Sequence, residues 1–146
     1  TNQKGMFFGE TTGKQQMKFL GIEDFWGNLR WWIDGLYSDK NYHILTAFQN
    51  FNDTGSGYTD RGKGATSNRN GYMSKPQGTS EAGFIAKEDS GSSTTYFADH
   101  VSLYADYLSV FGGDWDDASK AGVFHLFVSY SALNSDSNIG ARLMYL

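Results

Sequence analysis

Apolar residues in this chain come in short runs whose spacing changes from one segment to the next. Met6-Phe7-Phe8 and Met17-Lys18-Phe19-Leu20, separated by the polar stretch Glu10 to Gln16, predict two short pairing strands. After Gly21 the period lengthens. Ile22, Phe25, Trp26 and Leu29 fall on one helical face, and Glu23 and Asp24 suit a helix N-terminus, so a short helix is expected here. Gly27-Asn28 breaks it, and Leu29, Trp31 and Ile33 then alternate with Arg30, Trp32 and Asp34 at the period of a strand. Residues 42–48 predict another strand. The polar stretch 49–70 is read as one long connection, a length that implies a functional or mobile loop. Gly71 to Ser74 and Gly83 to Ala86 read as short strands around a turn near Pro76, with a loop over 91–95. The elements predict one α+β domain spanning 1–146, with short strands, one or two helices and long irregular loops.

The final stretch, Phe111 to Leu146, mixes two kinds of position. Phe111-Gly112-Gly113, Trp115, Ala121-Gly122, Phe124 and Asn138-Ile139-Gly140-Ala141-Arg142 read as a rigid frame. Between them stand Asp114, Asp116, Asp117, Ser119, His125, Phe127, Ser129, Tyr130, Leu133, Asp136 and Ser137, which share no chemistry. Catalysis needs particular groups at particular points, so arbitrary residues set in a scaffold point to recognition. Period 2 in this segment places Phe124, Leu126 and Val128 on a buried strand face and His125, Phe127 and Ser129 on the opposite face. That second face is a ligand-contacting one or, in the alternative, the other side of a strand buried on both faces. Residues 141–146 predict a last strand.

Composition narrows the function classes. The chain has 146 residues, enough for a single sizeable core, and a formal net charge of -4, which argues against nucleic acid as partner. No apolar stretch approaches the roughly 18 residues needed to cross a bilayer, so no membrane insertion is expected. With no cysteine there is no disulfide, thiolate nucleophile or Cys-ligated metal. Glycine at 18 residues and aromatics at 16% suggest tight turns and irregular loops packed on large rings. Thr1 in place of Met suggests either a trimmed chain or a piece of a longer protein.

Two stretches carry a resemblance. Gly27-Asn28-Leu29-Arg30-Trp31-Trp32 resembles the GN-x-W-x-W core of C-type lectin-like domains of the formylglycine-generating-enzyme subclass, with the second Trp moved or duplicated. The C-terminal GG-x-W...AG-x-F...NIGAR pattern resembles the variable proteins of diversity-generating retroelements. Together, over roughly residues 18–146, they resemble phage tail and prophage structural proteins ending in such a domain. In those systems adenines of a template copy are randomised. An Asn-type codon can then become Asp, His, Tyr, Ser, Phe or Leu, and every residue at the arbitrary positions is reachable; Lys120 is not.

The resemblance implies a C-type lectin-like fold with the arbitrary residues as ligand contacts. Gly113, Trp115, Phe124, Asn138 and Arg142 are its scaffold, with the two aromatics anchoring the site from beneath. The partners it implies are a bacterial cell-surface protein or glycan, other phage tail proteins and further copies of the chain, a homotrimer suiting a tail fibre. The implied location is the virion tail tip or a bacterial surface. No catalytic residue, cofactor or metal is expected. The related enzymes use cysteines that this chain lacks. His43, His100 and His125 lie far apart, and Asp114-x-Asp116-Asp117 lacks an EF-hand pattern. Two alternatives stand beside this reading: a purely structural tail or baseplate component, and a virion carbohydrate-active enzyme drawing on Glu81, Glu88 or Asp99.

Overall fold

A computed structural model describes residues 8–10, 15–79, 83–94 and 99–141. The fold is nearly all β, a sandwich or half-barrel, and the α+β class expected above is not what the chain adopts. Among the described residues the only helical element is one 3-10 turn, Ala118–Lys120. The expected helix after Gly21 fails for local reasons. Asp24 (φ 53°) and Gly27 (φ 77°) are left-handed, which ends any helical run. The segment's hydrogen bonds go to other strands instead. Strand β3 (Ile22–Glu23) pairs with β2 (Gln15–Phe19), itself paired with β1 (Phe8–Glu10), and the Gly27 N–H donates to the Gly112 carbonyl at 3.0 Å. The apolar residues that suggested a helical face serve an aromatic cluster, in which Phe25 stacks on Phe19 at 5.2 Å and meets Phe111 at a tilt, also at 5.2 Å.

The main sheet draws on strands spread along the chain. They are β4 (Arg30–Ser38), β5 (His43–Thr46), β6 (Thr59–Lys63), β7 (Arg69–Tyr72), β10 (His100–Leu103), β11 (Tyr107–Phe111), β12 (Leu126–Tyr130) and β13 (Ile139–Gly140). Their order is β6-β5-β4-β11-β12-β10-β7, with β13 added in parallel to β4. A separate hairpin, β8 (Lys75–Thr79) with β9 (Gly83–Glu88), lays Ile85 into the core beside Ile44, Leu103 and Val128.

The sheet is strongly curled. In a flat sheet, β5 and β10 would lie roughly 19 Å apart, four steps at about 4.8 Å. Yet a Cβ at Gly64 would meet Ile44 Cδ1 at 2.9 Å and Leu103 Cδ1 at 3.3 Å, so the two strands close on one core. The bend has an identifiable cause in β4. Opposite Leu108 and Ser109 of β11, the β4 register jumps from Tyr37 to Ile33, leaving a bulge that contains Gly35 at φ 82°. Beyond it β4 turns to pair with β5, and the Ala47 N–H donates to the Gly35 carbonyl at 2.9 Å.

Other expectations need correction too. The stretch 49–70 is not one loop, because it contains β6 and the start of β7. Pro76 sits within β8, at a register irregularity of a two-stranded hairpin, where a missing N–H costs the ladder least. Of the predicted last strand, residues 142–146 lie outside the described residues, and the pairing seen is that of Ile139–Gly140.

Candidate functional site

Arg30, the first residue of β4, organises the C-terminal region. Its Nη1 donates to the Tyr130 hydroxyl at 3.0 Å and sits 3.0 Å from Asp114 Oδ2, while Nη2 donates to Asp117 Oδ2 at 2.8 Å. Asp117 Oδ2 also accepts the Asp114 N–H at 2.9 Å, Asp114 Oδ1 accepts the Asp116 N–H at 2.9 Å, and Asn138 Nδ2 donates to Asp114 Oδ2. One guanidinium thus holds two carboxylates, and each carboxylate holds backbone. Burial works to lower the Arg30 pKa, but Asp117, Tyr130 and Asp114 outweigh it and the net shift is upward. A buried ion pair is favourable only when its remaining donors and acceptors are met. Here backbone and Asn138 meet the two carboxylates, whereas Arg30 Nε and Asn138 Oδ1 are buried without a hydrogen-bond partner.

Glycines make room for this network. Gly113 (φ 70°) has no space for a side chain, since a Cβ would lie 2.8 Å from Ala121 and 3.1 Å from Asp117 Oδ2. Gly112 is also left-handed (φ 92°), whereas Gly122 and Gly140 are close-packed, against Asp99 and against Trp31 and Leu29. His125 is fully buried and bonded through Nδ1 to the Lys120 carbonyl at 2.8 Å. Its ring lies 4.2 Å from that of Phe127, and burial depresses its pKa.

Above the network lies an open groove of about 470 Å³. From β12 it receives Phe127, Ser129 and Tyr130, and from the following loop Asn134 and Asp136. Tyr104 and Tyr107, flanking the turn that carries the chain from β10 to β11, form another wall, and Asn70 and Ser102 complete it. Its rings are held in place. Tyr130 is fixed by Arg30 and by the edge of Trp32 at 5.9 Å, Arg30 stands over Phe127 at 5.4 Å, and Tyr104 and Tyr107 meet edge-to-face at 6.2 Å. Ser102 donates to Ser129 at 2.9 Å.

Compared with known proteins, the chain matches no family model, no curated protein and no solved structure. The geometry alone therefore sorts the predicted residues. Phe127, Ser129, Tyr130 and Asp136 come together in the groove. Leu133 (92% exposed) and Ser137 lie on the same 131–137 loop, and Asp116 and Ser119 are exposed on the turn after β11. Asp114, Asp117 and His125 do not project from the surface as expected, because they form the support beneath it.

The scaffold assignments divide in the same way. Gly113 and Asn138 serve the network. Trp115 (58% exposed) and Phe124 do not anchor from beneath; both stand at the surface, because backbone bonds to Asn28 and Asp99 fix these two positions. Arg142 lies outside the described residues. Sequence reasoning passed over Tyr104 and Tyr107, although Tyr104-Ala105-Asp106-Tyr107 between two apolar runs is a turn signal with a ring at each side.

Proposed function

We propose that this chain is a ligand-binding module whose contact surface is the groove bounded by β12, the 131–137 loop and the Tyr104 to Tyr107 turn. In this reading it is displayed at a phage tail tip and contacts a molecule of the bacterial surface. The observation that carries the proposal is the convergence of Phe127, Ser129, Tyr130 and Asp136 with Tyr104 and Tyr107 over a rigid ionic support. Side chains without common chemistry stand on top, and Arg30 with Asp114 and Asp117 supports them from below. Fixed aromatic rings give large contact area at small entropic cost, and exposed loops on a firm frame suit recognition.

Binding without catalysis is part of the proposal. Glu88 forms a surface ion pair with Lys75 at 3.0 Å, and Asp99 accepts the Phe124 N–H at 2.6 Å, so both considered carboxylates have structural partners. Glu81 lies outside the described residues. A modest single site would gain strength from display in several copies.

The test is retention on a panel of bacterial strains, comparing the parent with a Tyr107→Ala/Ser129→Ala/Asp136→Ala variant whose fold is checked by circular dichroism. The proposal expects a strain that retains the parent and loses the folded variant. Equal retention of both would place the contact elsewhere and defeat it.

A further inference from the structure

Tyr130 belongs to two hollows. Beyond it, away from the groove, a second open hollow of about 330 Å³ is lined by Tyr37, Asp53, Asp106 and Ser131, among others. Tyr130 lines both, and a ligand long enough to pass it could occupy the two hollows as one path. The chemistry along the path is uneven in an informative way. It offers tyrosine rings, side-chain amides and hydroxyls, and the carboxylates of Asp53, Asp106 and Asp136, and among the described residues no lysine or arginine lines either hollow. Arg30 is the nearest cation by connectivity, and it is already held by Asp114 and Asp117 behind Tyr130.

Resting on the binding function proposed above, we infer that this path takes an oligosaccharide, neutral or amino-sugar in character, and rejects anionic glycans. Sugar rings present an apolar C–H face that lies flat on a tyrosine plane, and their hydroxyls pair with amide and carboxylate groups around it. Asn70 offers both a donor and an acceptor, and Asn134 offers its amide N–H groups while its Oδ1 accepts from Ser131. Asp136 accepts, and the Ser102–Ser129 hydroxyl pair supplies further polar contact. Among the described residues a uronate or phosphate would meet the carboxylates of Asp53, Asp106 and Asp136 and no cation lining either hollow, and like charges in juxtaposition suppress wrong partners. Asp106 is committed to the Tyr37 hydroxyl, which leaves Asp53 and Asp136, both exposed, as the carboxylates that set this selectivity.

The experiment uses the whole chain and a bacterial strain that retains it. Cells are treated with periodate, which cleaves vicinal diols of glycans, or with protease, and retention is measured for the parent, Tyr104→Ala and Tyr107→Ala. Polygalacturonate is then added as an anionic competitor to the parent and to an Asp53→Asn/Asp136→Asn variant. Periodate is expected to reduce retention at least tenfold while protease leaves it intact, with either folded tyrosine variant weakened roughly tenfold or more. Polygalacturonate should compete only with the Asn variant. Loss on protease treatment with survival of periodate, or competition by polygalacturonate with the parent, overturns the glycan assignment. If the tyrosine variants still lose retention in that case, the groove remains the contact surface. Folded tyrosine variants that bind like the parent, or a parent that no strain of a broad panel retains, overturn the groove and the glycan together.

Discussion

At the scale of single residues, Arg30 bears on two buried charges at once. Among the described residues it is the only cation paired with both Asp114, 2% exposed, and Asp117. Arg30→Met keeps most of the stem but strands two buried carboxylates, and a broken buried pair costs about 3–5 kcal/mol. Urea unfolding should show a loss of that order, with part of it recovered by adding Asp117→Asn. His125 and His100 give a second prediction. Burial depresses both imidazoles, so the unfolded chain takes up protons before the native one does. Stability should hold above the ordinary histidine pKa, ~6.5, and fall as pH drops below it. Asp99 opposes this, because burial raises its carboxyl and the native state takes that proton before the unfolded chain does. Urea midpoints at successive pH values should show the slope, and His125→Asn should make it shallower.

Elements show how far local pattern goes. Leu126 and Val128 face the core as period 2 predicts, and β4 lies where Leu29, Trp31 and Ile33 alternate. The segment 22–29 misled because Phe25 and Trp26 fit a helical face equally well, and a single left-handed Asp24 is invisible to periodicity. Asp114 and Asp117 misled for another reason: their partner, Arg30, stands on a strand far upstream, and no window around an acidic turn contains it. The bulge in β4 yields a prediction at this scale. Gly35 and Gly57 are both left-handed, but a Cβ at Gly35 would collide with the Ala47 carbonyl, whereas one at Gly57 meets nothing within 4 Å. Gly57→Ala should cost about 1 kcal/mol, the strain of the backbone alone. Gly35→Ala should cost several times more in thermal or urea melts, because the strand cannot yield without undoing the turn toward β5.

For the molecule as a whole, strands from distant parts of the chain interleave, with β4 between β5 and β11 while also carrying β13. The main core cluster joins Ile44 of β5, Leu103 of β10, Val128 of β12 and Ile85 of β9, and the smaller cluster of Met73, Ala86 and Val101 shares β9 and β10 with it. Tryptophan fluorescence and far-UV circular dichroism should therefore report one coincident urea transition. Deleting residues 138–146 removes both β13 and the Asn138 amide on Asp114, and should destabilise the whole sheet rather than fray one edge. The topology has a further result for the loop that borders the groove. Residues 131–137 leave the sheet from β12 and return at Asn138, whose carbonyl accepts the Arg30 N–H at 2.9 Å. Both ends are therefore riveted to strands that do not depend on what lies between them. Loop closure grows costlier only slowly with length, about 0.6 kcal/mol per doubling. The chain can thus act as a cassette holder: foreign segments spliced between Ser131 and Ser137 would be presented on a scaffold that folds without consulting them.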